Sequence, residues 1–351
     1  MYLGLDIGRQ FVKMVTTEKT KEGYKILDAG SRLVPEPNST YDPEKIDKSH
    51  CVMAVKELFR QQKFNPKKIK GLITGINGSF ASIKQITTME MPSEELESAM
   101  TFEARKHIPM DGTDAVIDYQ ILGSNKQELD KIDVGLVACT KGVLTNHMDL
   151  IKDCGLKPGV VDVNPIAISN AFSLIKDIPE DGLVVMLDIG AISSSLIVYG
   201  IGQQFFTRDL PIGGHHFVKE ICDKKEVSYT DAQDLLYKGG LGVLKIEEGE
   251  IQTGVGIAEK TIYDSLVEDL RRSLRFYGKQ TGQSFFLKIF LTGGAAETPG
   301  LTEFVTEKLN IECAVFNPFE NLEGAENLSV TNKSQFTTAL GLGIRGGMNI
   351  G

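Results

Sequence analysis

LGLDIGRQFVKMV, residues 3–15, is the stretch that decides the fold, with two apolar runs on either side of a short turn at Gly8. Alternating apolar residues around a glycine turn predict a strand, a tight turn and a second strand. The first strand ends in Asp6, although aspartate is depleted in strands. Nearly the same phrase returns as VVMLDIGAISSSLIVYG, residues 184–200, where Asp188 follows Asp6 after 182 residues. Two copies half a chain apart predict a duplicated architecture.

The composition is that of a globular protein with room for two domains. The chain has 351 residues, of which 41% are hydrophobic and 24% are charged. Its net charge of −9 argues against nucleic acid as the main partner, because phosphate binding needs a basic surface. The five cysteines form no C-x-x-C pair and suit a reducing compartment. We expect neither a signal peptide nor a membrane span, and therefore a cytoplasmic protein.

Strands and helices are mixed along both halves of the chain. Apolar spacing predicts a buried strand at 69–76, a further strand at 81–91 and a long helix at roughly 260–280. VVDV, residues 160–163, predicts a short strand that runs into a helix. The glycine-rich stretch 239–256 predicts a loop. The order of these elements indicates an α/β protein built from two related halves.

The two LDIG turns predict a site for a phosphate chain and a cation. Glycine turns leave consecutive N–H groups pointing outward, which favours anions. A carboxylate beside such a turn would repel a phosphate by roughly 4 kcal/mol at 4 Å near a surface. Mg²⁺ reverses the sign, since it binds one or two carboxylates, keeps waters and bridges to phosphate oxygens. One copy is equally compatible with an ordinary strand end, whereas Asp6 and Asp188 together favour a nucleotide clamp, with Lys13 within reach of the phosphates.

Two further glycine pairs precede predicted helices. FLTGGAAETPGL, residues 290–301, predicts a strand that runs into Gly293 and Gly294, directly followed by a helix whose amino terminus approaches a phosphate or ribose. PIGGHHF, residues 211–217, places a second pair before another helix. Taken alone, each is an ordinary turn between a strand and a helix. The neighbouring His215 and His216 do not predict a metal site, because adjacent side chains seldom reach one ion.

These motifs resemble those of the actin-like ATPases, the group of actin, the heat-shock chaperone ATPases and the sugar kinases. The two DIG turns and LTGG, residues 291–294, are similar to the two phosphate motifs and the adenosine motif of that group. VDVNPIAISNAF and FTTALGLGIRGG resemble its two connecting helices, whose small residues would let them cross closely at a hinge. The resemblance implies an α/β, actin-like (duplicated ribonuclease-H-like) two-domain fold with a small inserted α/β subdomain.

A narrower resemblance points to the PilM family of cytoplasmic type IV pilus assembly proteins. It is carried by MPSEELESAMTFEARKHIPMDGTDAVIDYQIL, residues 91–122, and by GLKPGVVDVNPIAI, RDLPIGGHHF and EDLRRSLRFY. The inserted subdomain is shared with the cell-division protein FtsA. The resemblance implies four units: a first half at 1–85, 156–180 and 335–351, the insertion at 86–155, a second half at 181–210 and 285–334, and a nucleotide-side subdomain at 211–284.

The resemblance also implies roles for individual residues around ATP and Mg²⁺. Asp6 and Asp188 would hold Mg²⁺ through water. The phosphates would contact Gly8, Arg9, Gln10, Lys13, Gly190, Ala191 and Ile192, and the terminal phosphate would lie near Gly213 and Gly214. The nucleoside would lie near Gly293, Gly294 and Ala295, and the adenine near Glu268, Arg271 and Arg272.

Two departures from the family pattern bear on catalysis. Related proteins often carry Glu or Gln before the proline of the first connecting helix, where it orients the attacking water. Asn164 occupies that position here and cannot act as a base, and the nearby carboxylate is Asp162. A lysine often found near the adenine is replaced by Leu236. We therefore expect ATP binding with slow hydrolysis or none, and ATP acting as a conformational ligand.

Three functions follow as hypotheses. The first is an ATP-binding scaffold at the inner face of the cytoplasmic membrane, which docks the cytoplasmic amino-terminal peptide of a PilN-like membrane protein in a groove beside the insertion. Pilus motor ATPases are further expected partners, and the membrane is reached only through a partner. The second is a small-molecule kinase, although no carboxylate is evidently placed for a substrate hydroxyl. The third is an FtsA-like filament, against which the lack of a terminal amphipathic helix counts.

Overall fold

The computed structural model describes residues 1–35, 41–106, 115–125, 128–157, 159–180, 182–244 and 260–348. Its strands are β1 (Tyr2–Ile7), β2 (Phe11–Lys19), β3 (Tyr24–Leu33), β4 (Gly71–Ile76), β5 (Ala81–Met89), β6 (Ala115–Ser124), β7 (Lys131–Thr140), β8 (Val160–Val163), β9 (Val184–Ile189), β10 (Ser194–Tyr199), β11 (Phe206–Leu210), β12 (Lys288–Thr292) and β13 (Cys313–Val315). Its helices are α1 (Lys48–Gln61), α2 (Ser93–Arg105), α3 (Lys141–Asp153), α4 (Asn164–Ile175), α5 (Gly214–Lys225), α6 (Tyr229–Gly239), α7 (Ile262–Thr281), α8 (Leu301–Leu309) and α9 (Thr337–Arg345).

The first sheet has the order β3-β2-β1-β4-β8. β1, β2 and β3 are antiparallel neighbours, whereas β4 and β8 continue the sheet in parallel. Leu3 and Leu5 alternate with polar or small residues along β1, and they join Val12 and Met14 of β2 in one buried cluster. α1 covers this face of the sheet through residues such as Leu58. The amphipathic hairpin predicted from residues 3–15 is therefore confirmed.

The second sheet repeats the first one strand for strand. Its order is β11-β10-β9-β12-β13, with the same antiparallel and parallel pairings. Even the hairpin register is equal, since Asp6 lies opposite Lys13 and Asp188 opposite Ser195. The duplication that the two LDIG phrases predict is confirmed. Because the carboxyl ends of β1 and β9 are equivalent, the two aspartates occupy equivalent places in the two halves.

The third sheet, β5-β7-β6, is the inserted unit. Leu96, Met100 and Ala104 of α2 pack on one face of it, against a buried row on β7 that includes Val134 and Leu136. α3 follows this sheet but returns to the first half, where Ile151 lies in the core of the first sheet. The division of the chain into the four implied units stays a prediction, and all four units include residues outside those described.

The connecting helices α4 and α9 cross at very short range. A Cβ on Gly341 of α9 would lie 1.8 Å from the carbonyl oxygen of Ala167 in α4. α9 also packs closely on the first sheet, since a Cβ on Gly4 of β1 would lie 2.0 Å from the carbonyl oxygen of Ala339. These separations exclude any side chain at either glycine. The close crossing of small residues, expected from the sequence of the two helices, is confirmed.

Two local predictions need correction or limitation. The helix expected directly after Gly293 and Gly294 begins only at Leu301, because residues 293–300 form successive turns held by main-chain hydrogen bonds such as that from Ala296 N–H to Gly293. In the predicted loop at 239–256, residues 240–244 form a short 3-10 helix, and most of the rest lies outside the described residues. No helix within the described ranges is long and apolar enough to cross a membrane.

Candidate functional site

The two DIG turns have the same hydrogen bond. Gly8 N–H donates to the carbonyl of Phe11 at 3.1 Å, and Gly190 N–H donates to the carbonyl of Ser193 at 3.0 Å. A Cβ would lie 2.7 Å from the acceptor oxygen at Gly8 and 2.9 Å from it at Gly190. Glycine is therefore required at both positions by the close approach of the turn to itself.

Asp6 and Lys13 form an ion pair inside the first hairpin. They are separated by seven residues in sequence but lie directly opposite each other in the register of β1 and β2. The Lys13 Nζ lies 2.8 Å from Asp6 Oδ2, and the side chains are only 14% and 11% exposed. A charge-assisted hydrogen bond in this setting orients the carboxylate and places one positive charge beside it.

Asp188 lacks such a partner at the equivalent position, where Ser195 stands in place of the lysine. Burial and, to a smaller extent, the Asp6 carboxylate raise the pKa of Asp188 to about 6, while Lys13 acts in the opposite direction. The two aspartates of the two halves therefore lie close enough to repel each other. A cation between them would remove this repulsion, which is the physical fit that Mg²⁺ requires.

A third carboxylate, Asp209, lies in the same row of the second sheet. The register places Asp209, Ser195, Asp188 and Thr292 side by side on β11, β10, β9 and β12. Ser195 Oγ donates to Asp209 Oδ1 at 2.6 Å, which lowers the pKa of Asp209, while burial raises it and prevails. Asp209 Oδ1 also lies 3.1 Å from the point that a Cβ on Gly78 would occupy, so it reaches the first half. Sequence reasoning missed this residue, although it precedes the PIGG turn by only two positions.

Three of the predicted glycine segments meet around the second DIG turn. Gly214 N–H donates to the carbonyl of Gly190 at 2.9 Å, and His215 N–H donates to that of Ala191 at 2.8 Å. Ala295 N–H donates to the carbonyl of Ile189 at 3.1 Å. Ile192 lies within the same turn and is partly exposed. A Cβ on Gly213 would lie 2.7 Å from the carbonyl oxygen of Gly190, which explains why a glycine pair opens α5.

Gly293 is the most constrained of these glycines. Its φ is +88°, and a Cβ there would lie 2.4 Å from Asp188 Oδ1. Ser334 holds this turn from the far side, since its carbonyl accepts from Gly293 N–H at 3.2 Å and its hydroxyl donates to the Gly293 carbonyl at 3.0 Å. Asn332 Nδ2 donates to the carbonyl of Gly294 at 3.0 Å. The segment before α9 is thus part of the site. The sequence did not predict this, because the segment is far from the glycine turns along the chain.

Arg9 and Gln10 complete the first turn. The Arg9 guanidinium donates to the carbonyl of Ile46 at 2.9 Å, and the Gln10 carbonyl accepts from Val34 N–H at 2.8 Å. Both contacts tie the turn to the first half. The arginine is exposed apart from this bond, so its charge stays available to an anion at the turn.

The three residues expected near an adenine lie on the polar face of α7, away from its buried stripe. Glu268 pairs with Lys260, Arg272 pairs with Asp269, and Arg271 donates to the carbonyl of Lys308 at the end of α8. None of these contacts joins them to the glycine turns. Their role toward an adenine stays a prediction.

The two candidate catalytic residues are buried close to the hinge helices. Asn164 begins α4, and its Oδ1 has no hydrogen-bond partner among the described residues and lies 2.2 Å from the point that a Cβ on Gly75 would occupy. Asp162 lies opposite Gly75 in the sheet and forms an ion pair with Arg345 at 3.5 Å. Burial raises the pKa of Asp162, and the Val163 N–H and Arg345 oppose this. A catalytic role for either residue stays a prediction.

Within the described ranges, no group of three or more His, Cys, Asp or Glu side chains is placed to hold a metal ion. The two adjacent histidines turn to different partners. His215 Nδ1 lies 3.2 Å from the Tyr229 hydroxyl, and His216 Nδ1 accepts from Gly213 N–H. Any cation held by Asp6 and Asp188 therefore depends on water and ligand oxygens for its remaining bonds, as Mg²⁺ commonly does.

Comparison with known proteins places this geometry in a family context. The family model described as type IV pilus assembly protein PilM matches residues 4–347. A solved chain of a PilM-PilN type IV pilus biogenesis complex is similar, with a TM-score of 0.77 and 23% identity over 98% of both chains. The ethanolamine utilization protein EutJ of Carboxydothermus hydrogenoformans has a TM-score of 0.53 and 14% identity, with 97% of this chain and 88% of that chain covered.

Curated relatives of known sequence include cell-division proteins. FtsA of Bacillus subtilis is 22% identical over 381 residues, which cover 97% of this chain and 82% of that protein. FtsA of Neisseria meningitidis serogroup B is 24% identical over 308 residues, which cover 78% of this chain and 73% of that protein. Together with the repeated sheets and the third sheet, these likenesses confirm the predicted actin-like α/β fold of the FtsA-like branch.

Proposed function

The chain belongs to the PilM family of type IV pilus assembly proteins, and from this premise we propose that it is an ATP-binding scaffold of the pilus assembly platform. ATP would bind with its phosphates between the two DIG turns and with Mg²⁺ at Asp6 and Asp188. A PilN-like membrane protein would be its partner, through a short cytoplasmic peptide. In this role the chain works at the inner face of the cytoplasmic membrane, to which the partner recruits it.

The observation that carries the nucleotide proposal is the equivalence of the two hairpins. Each half presents a glycine turn with the same hydrogen bond and an aspartate at the same register position. Asp6 forms an ion pair with Lys13, whereas Asp188 has no such partner at the equivalent position, and its burial together with the nearby Asp6 carboxylate raises its pKa. Uncompensated carboxylate charge beside outward N–H groups is suited to a cation and a polyphosphate together.

Bound Mg²⁺ would neutralise the phosphate oxygens, and the chain's own residues would orient the nucleotide. The Gly8 and Gly190 turns would lie beside the phosphates, Lys13 would supply a nearby ammonium, and the Gly293 turn, which lies against Asp188, would border the nucleoside. Asn164 is packed against Gly75, and Asp162 is engaged by Arg345. Asp209 accepts a hydrogen bond from Ser195. We infer that neither Asn164 nor Asp162 activates water in this site and that ATP is held and turned over slowly or not at all.

Nucleotide binding is tested by equilibrium dialysis with ATP, with and without Mg²⁺, on wild type and Asp188→Asn. We expect tight binding that depends on Mg²⁺ in wild type and at least a roughly ten-fold weaker affinity in the variant, since a carboxylate that would hold Mg²⁺ through water is lost. Glu326→Gln, on an exposed turn, is the matched charge-removal control and should bind as wild type does. Equal binding by Asp188→Asn and wild type would contradict the assignment of the cation site.

Peptide docking draws its support from the inserted sheet. A cluster that includes Ile76, Ile83 and Val163 joins this sheet to the first half. Beyond that cluster β6 forms an edge of the sheet and exposes Ile121 and Leu122, at 52% and 55%. Sheet edges and exposed apolar side chains are features that extended peptides use for docking. The solved PilM chain of similar fold comes from a complex with PilN.

Removal of the inserted sheet tests the partner. Ala81 lies opposite Cys139 in the β5–β7 register, so residues 82–138 can be replaced by a short Gly-Ser link without separating the cut ends. α3 is kept, because Ile151 belongs to the core of the first half. We expect the shortened chain to bind ATP but not a fluorescent peptide from the amino terminus of PilN. Unchanged peptide binding would contradict the docking proposal and would not affect the nucleotide proposal.

A further inference from the structure

Three aromatic rings join the two halves of the chain beside the phosphate turns. Tyr41, from the first half, lies 5.5 Å from the His215 ring on α5 and 5.8 Å from the Tyr229 ring on α6. The His215 and Tyr229 rings are stacked at 5.5 Å, with an angle of 25° between their planes. His215 Nδ1 also lies 3.2 Å from the Tyr229 hydroxyl. Contacts at these distances stabilise an interface beyond the apolar area that they bury.

Each ring is anchored to its own half. Tyr41 belongs to the core cluster of the first sheet and is 7% exposed. His215 directly follows the Gly213–Gly214 turn, and its N–H donates to the Ala191 carbonyl in the second DIG turn. Ala191 and Tyr229 in turn pack against the core of the first half. The aromatic contact therefore ties the second phosphate turn to the first half.

The first phosphate turn reaches the same place. Arg9, next to Gly8, donates to the carbonyl of Ile46 in the segment that follows Tyr41. Burial raises the pKa of the Tyr41 hydroxyl to about 12, and the Arg9 charge acts against this shift. Both phosphate turns are therefore connected to Tyr41 and the segment that follows it. A nucleotide held between the turns would lie beside this segment.

The ring of Tyr41, rather than its hydroxyl, makes the contact across the halves. The hydroxyl is buried and has no hydrogen-bond partner among the described residues. A buried hydroxyl without a partner adds nothing to the attraction between the halves. Phenylalanine at this position would keep the contact, and alanine would remove it.

We propose that Tyr41, His215 and Tyr229 form an aromatic clasp that closes the nucleotide cleft and sets the rate at which nucleotide leaves. The proposal rests on the proposed nucleotide binding and adds a regulatory element to that site. Nucleotide release requires the two DIG turns to separate. The turns belong to different halves, and the clasp is a contact between those halves that must break as they part. The three residues act on the nucleotide through the turns and are positioning residues.

The test measures dissociation of a fluorescent N-methylanthraniloyl ATP in a stopped-flow chase with excess unlabelled ATP and Mg²⁺. Tyr41→Ala and His215→Ala should each release nucleotide roughly ten-fold faster, the size expected from the loss of aromatic contacts. Tyr41→Phe should keep the wild-type rate. Tyr237→Ala, an exposed tyrosine on the same helix as Tyr229, is the matched control and should also keep it. An unchanged rate in His215→Ala, which removes no core side chain, would overturn the clasp.

A second readout separates failure of the clasp from failure of the proposed function. If wild type retains no nucleotide in equilibrium dialysis, the nucleotide proposal fails, and the clasp is then judged by hydrogen exchange without ligand. Faster exchange of the amides at 189–193 and 214–216 in His215→Ala would support it. Equal exchange would overturn it, whatever the nucleotide result.

Discussion

Lys13 and Asp6 face each other across the first hairpin, with 2.8 Å between the ammonium nitrogen and a carboxylate oxygen, whereas Asp188 faces Ser195 in the second hairpin. The duplication therefore preserves the aspartate but provides a cation in one half only. Burial and the nearby Asp6 carboxylate raise the pKa of Asp188 to about 6, and no ion pair within its own hairpin offsets them. This difference identifies Asp188 as the carboxylate whose charge a bound cation would stabilise most.

Loss of Lys13 should destabilise the protein. Lys13→Met leaves the Asp6 carboxylate nearly buried and without its partner, which typically costs about 3 kcal/mol of unfolding free energy. Asp6→Asn combined with Lys13→Met should recover most of that loss, because the Asp6 side chain is then neutral and needs no cationic partner. Urea unfolding of the single and double variants measures the coupling. Lys25→Met breaks an exposed pair with Glu323 and should leave the urea midpoint nearly unchanged, as a control.

The contribution of Asp188 to stability without a divalent cation should fall as the pH rises from about 4 to about 6. The pKa of Asp188 is about 6 in the folded protein and lies near 3.8 when unperturbed. In this interval Asp188 keeps its proton in the folded state and loses it in the unfolded state, so its ionisation on raising the pH favours unfolding. This loss of stability is complete once the pH exceeds the pKa of Asp188 in the folded protein.

Urea unfolding in EDTA at several pH values checks this slope. Asp188→Asn should have a shallower slope and should be more stable than wild type at pH 7 without cation. Asp209 and Asp162, whose pKa values are also raised by burial, should contribute to the slope in the same direction. An identical slope in Asp188→Asn and wild type would show that Asp188 titrates as it does in the unfolded chain.

Two adjacent glycines of the LTGG turn should respond differently to alanine. Gly293→Ala places a side chain at a φ of +88° and 2.4 Å from Asp188 Oδ1, so we expect a loss of roughly 1–3 kcal/mol and weakened nucleotide binding. The Cβ of Gly294→Ala meets no atom within 4 Å, so this variant should unfold at the same temperature as wild type. Thermal unfolding and equilibrium dialysis measure both effects. Equal behaviour of the two variants would mean that the turn adjusts freely around Gly293.

The crossing of α4 and α9 should not tolerate a methyl group. Gly341→Ala would bring Cβ to 1.8 Å from the Ala167 carbonyl oxygen, so the helices must separate, at a cost of about 3 kcal/mol or more. Gly142→Ala in α3 would approach only the Thr140 hydroxyl, at 4.0 Å, and should be neutral or stabilising by up to about 1 kcal/mol. Circular dichroism melts compare the two. A stable Gly341→Ala protein would show that α9 can shift.

Much of the fold follows from local pattern. Apolar runs on either side of a glycine turn predict the hairpins at 3–15 and 184–200, and the repeated aspartate predicts that both belong to one duplicated plan. The small residues of α4 and α9 predict a close crossing. The prediction that a helix begins directly after Gly294 was wrong, because a glycine pair indicates a turn but not how many further turns precede the helix. Eight residues of consecutive turns bring Ala295 against Ile189 before α8 begins.

The sequence by itself determined the repeated LDIG turns, and hence the two aspartates, the glycines that close the turns and the family to which the chain belongs. These features depend on residues within a few positions of one another, where chain geometry leaves few choices. Only the tertiary structure decided that Asp209 joins the site, that Ser334 holds the Gly293 turn and that Tyr41 meets His215 and Tyr229. Those contacts join segments that are far apart along the chain, and they depend on sheet register and on how the two halves pack, which no local pattern specifies.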